Sequence, residues 1–209
     1  MARGRFISLE GGEGVGKSTQ LTALAAALQG RGLTVLVTRE PGGSPGAEAI
    51  RKLLLEGDEG RWNPRAEALL FAAARSDHVE TTILPALQRG EWVLSDRFVD
   101  SSLAYQGEAG GLAIEAIRDL HRFGTLDFLP DRTLVLSLDE SEGATRARVR
   151  DGSPGDRIGS RPPNYHAAVD AGFRVMAERE PDRVKLIDAS GSEATVTARL
   201  LYALGDLLP

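Results

Sequence analysis

Five short segments are almost continuously apolar and rich in β-branched residues: RFISLE (5–10), LTVLVT (33–38), WVLS (92–95), TLVLSL (133–138) and VKLIDA (184–189). Runs of this length without strict alternation predict strands of a parallel sheet buried on both faces. The stretches between them repeat their apolar positions at helical spacing. Leu21, Leu24, Ala25 and Leu28 line one face of a helix over 17–30, stopped by Gly30 and Gly32. Ile50, Leu53 and Leu54 mark a second helix over 47–56. A longer one starts at Pro64, a favoured first position, and runs into the 80s, where Pro85 is expected to end or kink it. Residues 100–125 read as one or two helices broken at GEAGG, and ESEGATRARVR as a helix leading into a flexible DGSPGD loop. Another helix spans 164–180, and Ser190 with Glu193 suggests a capping box for a last helix ending near Leu208. The alternation predicts a single α/β domain over 1–209: a doubly wound parallel sheet of about five strands flanked by helices, with a mobile insert around 150–162.

Composition narrows the setting. The chain has no cysteine, which removes disulfides and thiolate metal sites. No apolar signal segment precedes the first strand, and no run approaches the roughly 18 apolar residues of a membrane span. A cytoplasmic protein is expected. A net charge of −5 has the wrong sign for a general nucleic-acid binder, so any polyanion must be met by local base. One segment supplies it: Arg146, Arg148, Arg150, Arg157 and Arg161 stand against only Asp151 and Asp156.

The clearest chemistry follows the first strand. Gly11-Gly12-Glu13-Gly14-Val15-Gly16-Lys17-Ser18 matches the phosphate-loop pattern between a strand and a helix, with Thr19 continuing it. Glycines let backbone N–H groups converge on phosphate oxygens, Lys17 reaches the β- and γ-phosphates, and the Ser18 hydroxyl ligates Mg²⁺. A guanine-reading Asn-Lys-x-Asp motif is absent, since the only asparagines are Asn63 and Asn164. An ATPase that drives partner binding and a kinase with a small acceptor both stay open at this point. On the acceptor side, Arg39 leaves the second strand in TREPGGSPG, either as a phosphate ligand or as a surface ion pair beside Glu40. Asp96 and Arg97 end the third strand, Asp96 backing Mg²⁺ through a water or orienting Arg97. Phe71 and Arg75 sit four apart on one helical face, a spacing suited to stacking on a base and donating to its carbonyl, or to simple packing. Ser101, Ser102, Tyr105 and Gln106 add hydrogen-bonding groups.

Taken together, FISLEGGEGVGKST, TREPGG, LLFAAAR, DRFVDSSLAYQG, RARVR…DRI and LIDAS resemble the thymidylate kinases in order and spacing over nearly the whole chain. The resemblance implies phosphorylation of dTMP to dTDP by Mg-ATP for dTTP synthesis, in a homodimer. It further implies that Phe71 stacks on thymine, Arg75 bonds its carbonyl, Arg39 and Arg97 hold the acceptor phosphate, and Ser101 and Gln106 line the site. Tyr105 then packs near the sugar C2′ and disfavours a ribose. Glu13 faces the sugar 3′-hydroxyl. Arg157 is expected at the transferring phosphoryl, and the adenine between Arg146 and the loop DASGS. Gly14 stands where some relatives carry an arginine, which points to the branch whose lid supplies the basic residues. Gly159, Ser160, Arg161, Pro162 and Pro163 after DRI depart from the family pattern, as does Ser137. The competing readings are a nucleoside-monophosphate kinase for another base and an ATPase switch.

Overall fold

A computed structural model describes residues 3–58, 60–138 and 157–209. Its five strands are β1 (Phe6–Gly11), β2 (Val35–Arg39), β3 (Trp92–Asp96), β4 (Arg132–Ser137) and β5 (Val184–Asp188), within a residue or two of the apolar runs. All pairs are parallel, in the order β2-β3-β1-β4-β5. β1 is central and all six of its residues are buried, the polar Ser8 and Glu10 among them. The register sets Arg39 opposite Asp96, and Asp96 opposite Leu9, so the carboxyl ends of β1, β2 and β3 meet at one edge.

Helices α1 (Lys17–Gln29) and α8 (Glu193–Ala203) cover one face of the sheet. Leu21, Leu24 and Leu28 pack there with Leu9, Leu94, Leu134, Val196 and Leu200. The other face is closed by α5 (Val99–Ser102), α6 (Ile114–Thr125) and α7 (Pro163–Arg179); Leu103, just after α5, packs there with Ile117, Val169 and Phe173 on Val135 and Val184. Beside them α2 (Pro45–Leu55) packs on α3 (Pro64–His78), each started by a proline behind a capping side chain, Ser44 or Asn63.

Two local details go beyond the sequence. The long helix does not end at Pro85: a π-helical turn, Val79–Ile83, carries the chain from α3 into α4 (Leu84–Gln88). The wider turn makes room for a ring that has no N–H to give, and Pro85 then opens α4, where that N–H is not needed. The last helix is capped by Ser192, not Ser190. Ser192 Oγ accepts from Thr195 N (3.2 Å), while the Ser190 N–H is already taken by the Asp188 carboxylate (2.9 Å). That helix closes at Ala203, and the chain continues in turns. The 100–125 segment divides as expected, a second π-helical turn (Leu103–Glu108) following α5 before the glycine-rich break. The expected helix in ESEGATRARVR and the DGSPGD loop lie outside the described residues, with Arg146, Arg148 and Arg150.

Candidate active site

The loop between β1 and α1 is shaped by close backbone approach. Gly11 adopts φ +128°, and a Cβ there would lie 2.4 Å from the Leu136 carbonyl oxygen of β4, so only glycine fits. Lys17 opens α1 and folds back, donating to the carbonyls of Gly11 (3.1 Å) and Gly12 (2.6 Å). Burial, helped by the nearby Arg97 charge, pushes its ammonium down to about 8. Ser18 and Thr19 stand exposed at the helix start.

From this loop a cavity of about 200 Å³ extends along the carboxyl edge of the sheet. It gathers most of the residues expected from the sequence: Glu13, Gly14, Gly16, Lys17, Ser18, Arg39, Phe71, Arg75, Asp96, Arg97, Ser101, Tyr105 and Gln106. Gly12 and Val15 are buried in the loop beneath it.

Arg97 is the hub. Its backbone turns at φ 71°, with its N–H donating to Leu9 O (2.9 Å). Its guanidinium donates to Gly11 O (3.2 Å) and Ser101 Oγ (3.1 Å), approaches Glu13 (3.4 Å) and lies over the Tyr105 ring, 4.9 Å from its centroid. Burial opposes that charge, but Tyr105, Glu10, Asp96 and Glu13 outweigh it and Arg97 stays a cation. Ser101 therefore serves Arg97: its hydroxyl accepts from Arg97 and donates to Glu10 Oε2 (2.6 Å). Glu10, fully buried and receiving the Phe98 N–H (2.7 Å), is pushed up to about 8 by burial and by Asp100.

Arg75 is fixed on the opposite wall, donating to Glu40 (2.8 Å), Ser102 Oγ (2.8 Å) and Phe98 O (3.3 Å). Phe71 lies one turn away on the same face of α3. Arg39 pairs with Glu48 (3.0 Å), not with Glu40, and both partners are exposed. Such a pair contributes little and yields readily to a stronger anion. The Tyr105 hydroxyl is buried without a hydrogen-bond partner among the described residues, and burial raises its pKa. Asp96 Oδ1 is likewise buried and unpartnered. A free carboxylate oxygen and the Ser18 hydroxyl on one cavity form a donor set suited to Mg²⁺, which takes few protein ligands and completes its shell with phosphate and water.

Arg157 does not line the cavity in this structure: it is buried between α2 and α3, donating to Leu54 O (2.8 Å) and Glu67 (2.7 Å). Glu67 also receives Arg161 (2.7 Å) and Gln106 Nε2 (3.0 Å), and Arg161 in turn meets the Tyr165 hydroxyl. A carboxylate 2% exposed must be met by cations, and Arg157 is one of the two that do so. The departure at Arg161 thus has a partner, as does Ser137, whose hydroxyl accepts from Arg174 (3.2 Å).

Comparison with known proteins gives this architecture a lineage. The family model described as Thymidylate kinase matches residues 9–200. This chain belongs to the thymidylate kinase family. The thymidylate kinase of Rhizorhabdus wittichii is 60% identical over 206 residues, covering 99% of each chain. That of Caulobacter vibrioides is 48% identical over 200 residues, covering 96% of this chain and 95% of its own. Among solved structures, the thymidylate kinase from Ehrlichia chaffeensis superposes with a TM-score of 0.76 at 29% identity, covering 97% of this chain and 99% of that one. Among the charged residues around the site, Glu10, Arg51 and Glu67 carried no expectation from the sequence, and Glu40 only that of a neighbour to Arg39. Arg51 lines the cavity and donates to Pro41 O (2.6 Å). A signal existed for Glu67, which shares with Phe71 and Arg75 the i, i+4, i+8 face of α3, and for Glu10, a charge inside an otherwise apolar strand.

Proposed function

We infer that this thymidylate kinase transfers the γ-phosphoryl group of ATP to the 5′-phosphate of dTMP, giving ADP and dTDP. One observation carries the reading: a single cavity joins the phosphate loop, through Lys17 and Arg97, to the aromatic and guanidinium pair Phe71 and Arg75. The donor phosphates belong on the loop from Gly11 to Thr19, and the acceptor base on Phe71, with Arg75 donating to its carbonyl. Arg39 releases Glu48 to share the acceptor phosphate with Arg97. Glu13, 3.4 Å from Arg97 and partly exposed, receives the sugar 3′-hydroxyl, and Tyr105 closes the space beside C2′.

No general base is required, because the second pKa of a phosphate monoester is about 6 and the acceptor is already mostly dianionic at neutral pH. The chain's contribution is alignment of two anions and neutralisation of the charge between them, by Lys17 from the donor side and Arg97 from the acceptor side. Ser18, with Asp96 near it, would hold Mg²⁺, which would supply further positive charge at the phosphates. The transition-state contact falls to Arg97, joined by arginines of the 146–150 segment. Gly14 supports that lid-supplied pattern, since it leaves the loop without an arginine. The adenine is assigned between Arg146 and the DASGS loop. Residues 1–209 act as one kinase domain in the cytoplasm. No helix among the described residues is long and apolar enough to cross a membrane. A homodimer is supported by Phe123 and Leu126, each 91% exposed, and by Leu69, 55% exposed, on the packed pair α3 and α6 and at its end.

Phe71→Ala tests the acceptor assignment. Base stacking is worth about 1–3 kcal/mol, so the KM for dTMP should rise about 5- to 150-fold while the KM for ATP holds. Equal changes in both constants would overturn it.

A further inference from the structure

Behind Arg75 lies a closed polar network that the reaction itself does not use. Glu40, 6% exposed, spends one carboxylate oxygen on Arg75 Nε (2.8 Å) and the other on His78 Nδ1 (3.1 Å). With Nδ1 donating, His78 Nε2 is left as an acceptor, and the Thr38 hydroxyl lies 2.7 Å from it. His78 is wholly buried. Gly43, at φ +85°, is pressed against this pair: a Cβ there would lie 2.3 Å from His78 Nε2 and 2.4 Å from Thr38 Oγ1. Strand β2, the loop after it and the end of α3 are thus fastened together around one carboxylate.

The consequence for Arg75 is directional. Its Nε and Nη2 are occupied by Glu40, Ser102 and Phe98, and its plane rests over the Phe98 ring at 5.3 Å. Nη1 is the arm left for the cavity. Burying an ion pair is a poor way to gain stability, because desolvation offsets the attraction and an apolar pair of the same volume does as well. What a buried carboxylate with two fixed partners does provide is orientation. A guanidinium presents N–H donors alone, so it matches a ring carbonyl and is mismatched to a ring amino group; a flexible arginine can swing aside from that mismatch, whereas a clamped one stays opposed to it.

We propose that Glu40, held in place by His78 and Thr38, is a positioning residue that aims Arg75 and thereby sets the choice of pyrimidine base. The proposal rests on Arg75 reading the acceptor base. The test compares dTMP with dCMP, which presents an amino group where dTMP presents a carbonyl, in full-length enzyme carrying Arg75→Ala, Glu40→Gln or His78→Leu. Gln keeps the volume of Glu40 but replaces the charge-assisted bond to Arg75 Nε with a weaker neutral one, so it loosens the clamp without emptying the space. Arg75→Ala should raise the dTMP KM about 10-fold or more and lower the dTMP-over-dCMP ratio of kcat/KM. Glu40→Gln and His78→Leu should move both quantities in the same direction by about 3- to 10-fold, with the KM for ATP unchanged. If Arg75→Ala leaves KM and base preference untouched, the reading of the base site fails. If Arg75→Ala acts as stated but Glu40→Gln leaves the ratio unchanged, or moves the ATP and dTMP constants together, the positioning role is overturned.

Discussion

Lys17 carries its charge into a site that disfavours it. Burial lowers its ammonium to about 8, against 10.5 for the free side chain. The protonated form is the one that binds phosphate, so kcat/KM for ATP should fall as pH rises through about 8, while kcat at saturating ATP stays flatter because bound phosphates favour the proton. The stability sign is the reverse. Between about 8 and 10.5 the unfolded chain holds more protons at this position than the native one, so this residue's contribution becomes less unfavourable as pH rises. A pH profile of kcat/KM for ATP that is flat to pH 9.5 would contradict the assignment. Glu13 shows how far residue-level reading reaches: a carboxylate inside a phosphate loop makes sense once Arg97 faces it, and Arg97 stands 84 positions away in sequence.

Elements that announce themselves by an apolar run or a helical repeat were legible: all five strands, α1, α2, the start of α3, and α7. So was the cavity, because its residues sit at strand ends and on one face of α3. What stayed hidden depends on partners brought from elsewhere. Pro85 reads as a breaker until a π-helical turn absorbs it, and Ser190 reads as a cap until Asp188 takes its N–H. The partner of Arg157 in this structure, Glu67, stands 90 positions away in sequence. Glu67 ties α3 to the end of α2 through Arg157, and to the second π-helical turn through Gln106. Glu67→Ala strands two guanidiniums, one of them fully buried, and should cost about 3–5 kcal/mol in a urea unfolding experiment. A loss below about 1 kcal/mol would show that the cluster anchors nothing. The companion Arg157→Ala should lose stability with kcat largely kept; intact stability with a depressed kcat would return Arg157 to the transferring phosphoryl.

At the scale of the whole molecule, the sheet supplies one edge where the ends of β1, β2 and β3 converge, and helices pack on both of its faces. The apolar surface of α3 and α6 points outward on this frame. Phe123→Glu with Leu126→Asp, placing charge on two highly exposed apolar positions, should turn the proposed homodimer into a monomer by light scattering with the helix content unchanged. A variant that stays dimeric would move the interface elsewhere. The central claim is the pairing of an ATP phosphate loop with a thymine-selective acceptor site. It is met most directly by following ADP formation from Mg-ATP with dTMP, dUMP, dCMP, dGMP or AMP as acceptor, beside a control without acceptor. Strong turnover with dTMP, little with the other nucleotides and almost none in the control is the predicted result; turnover indifferent to the acceptor would contradict it.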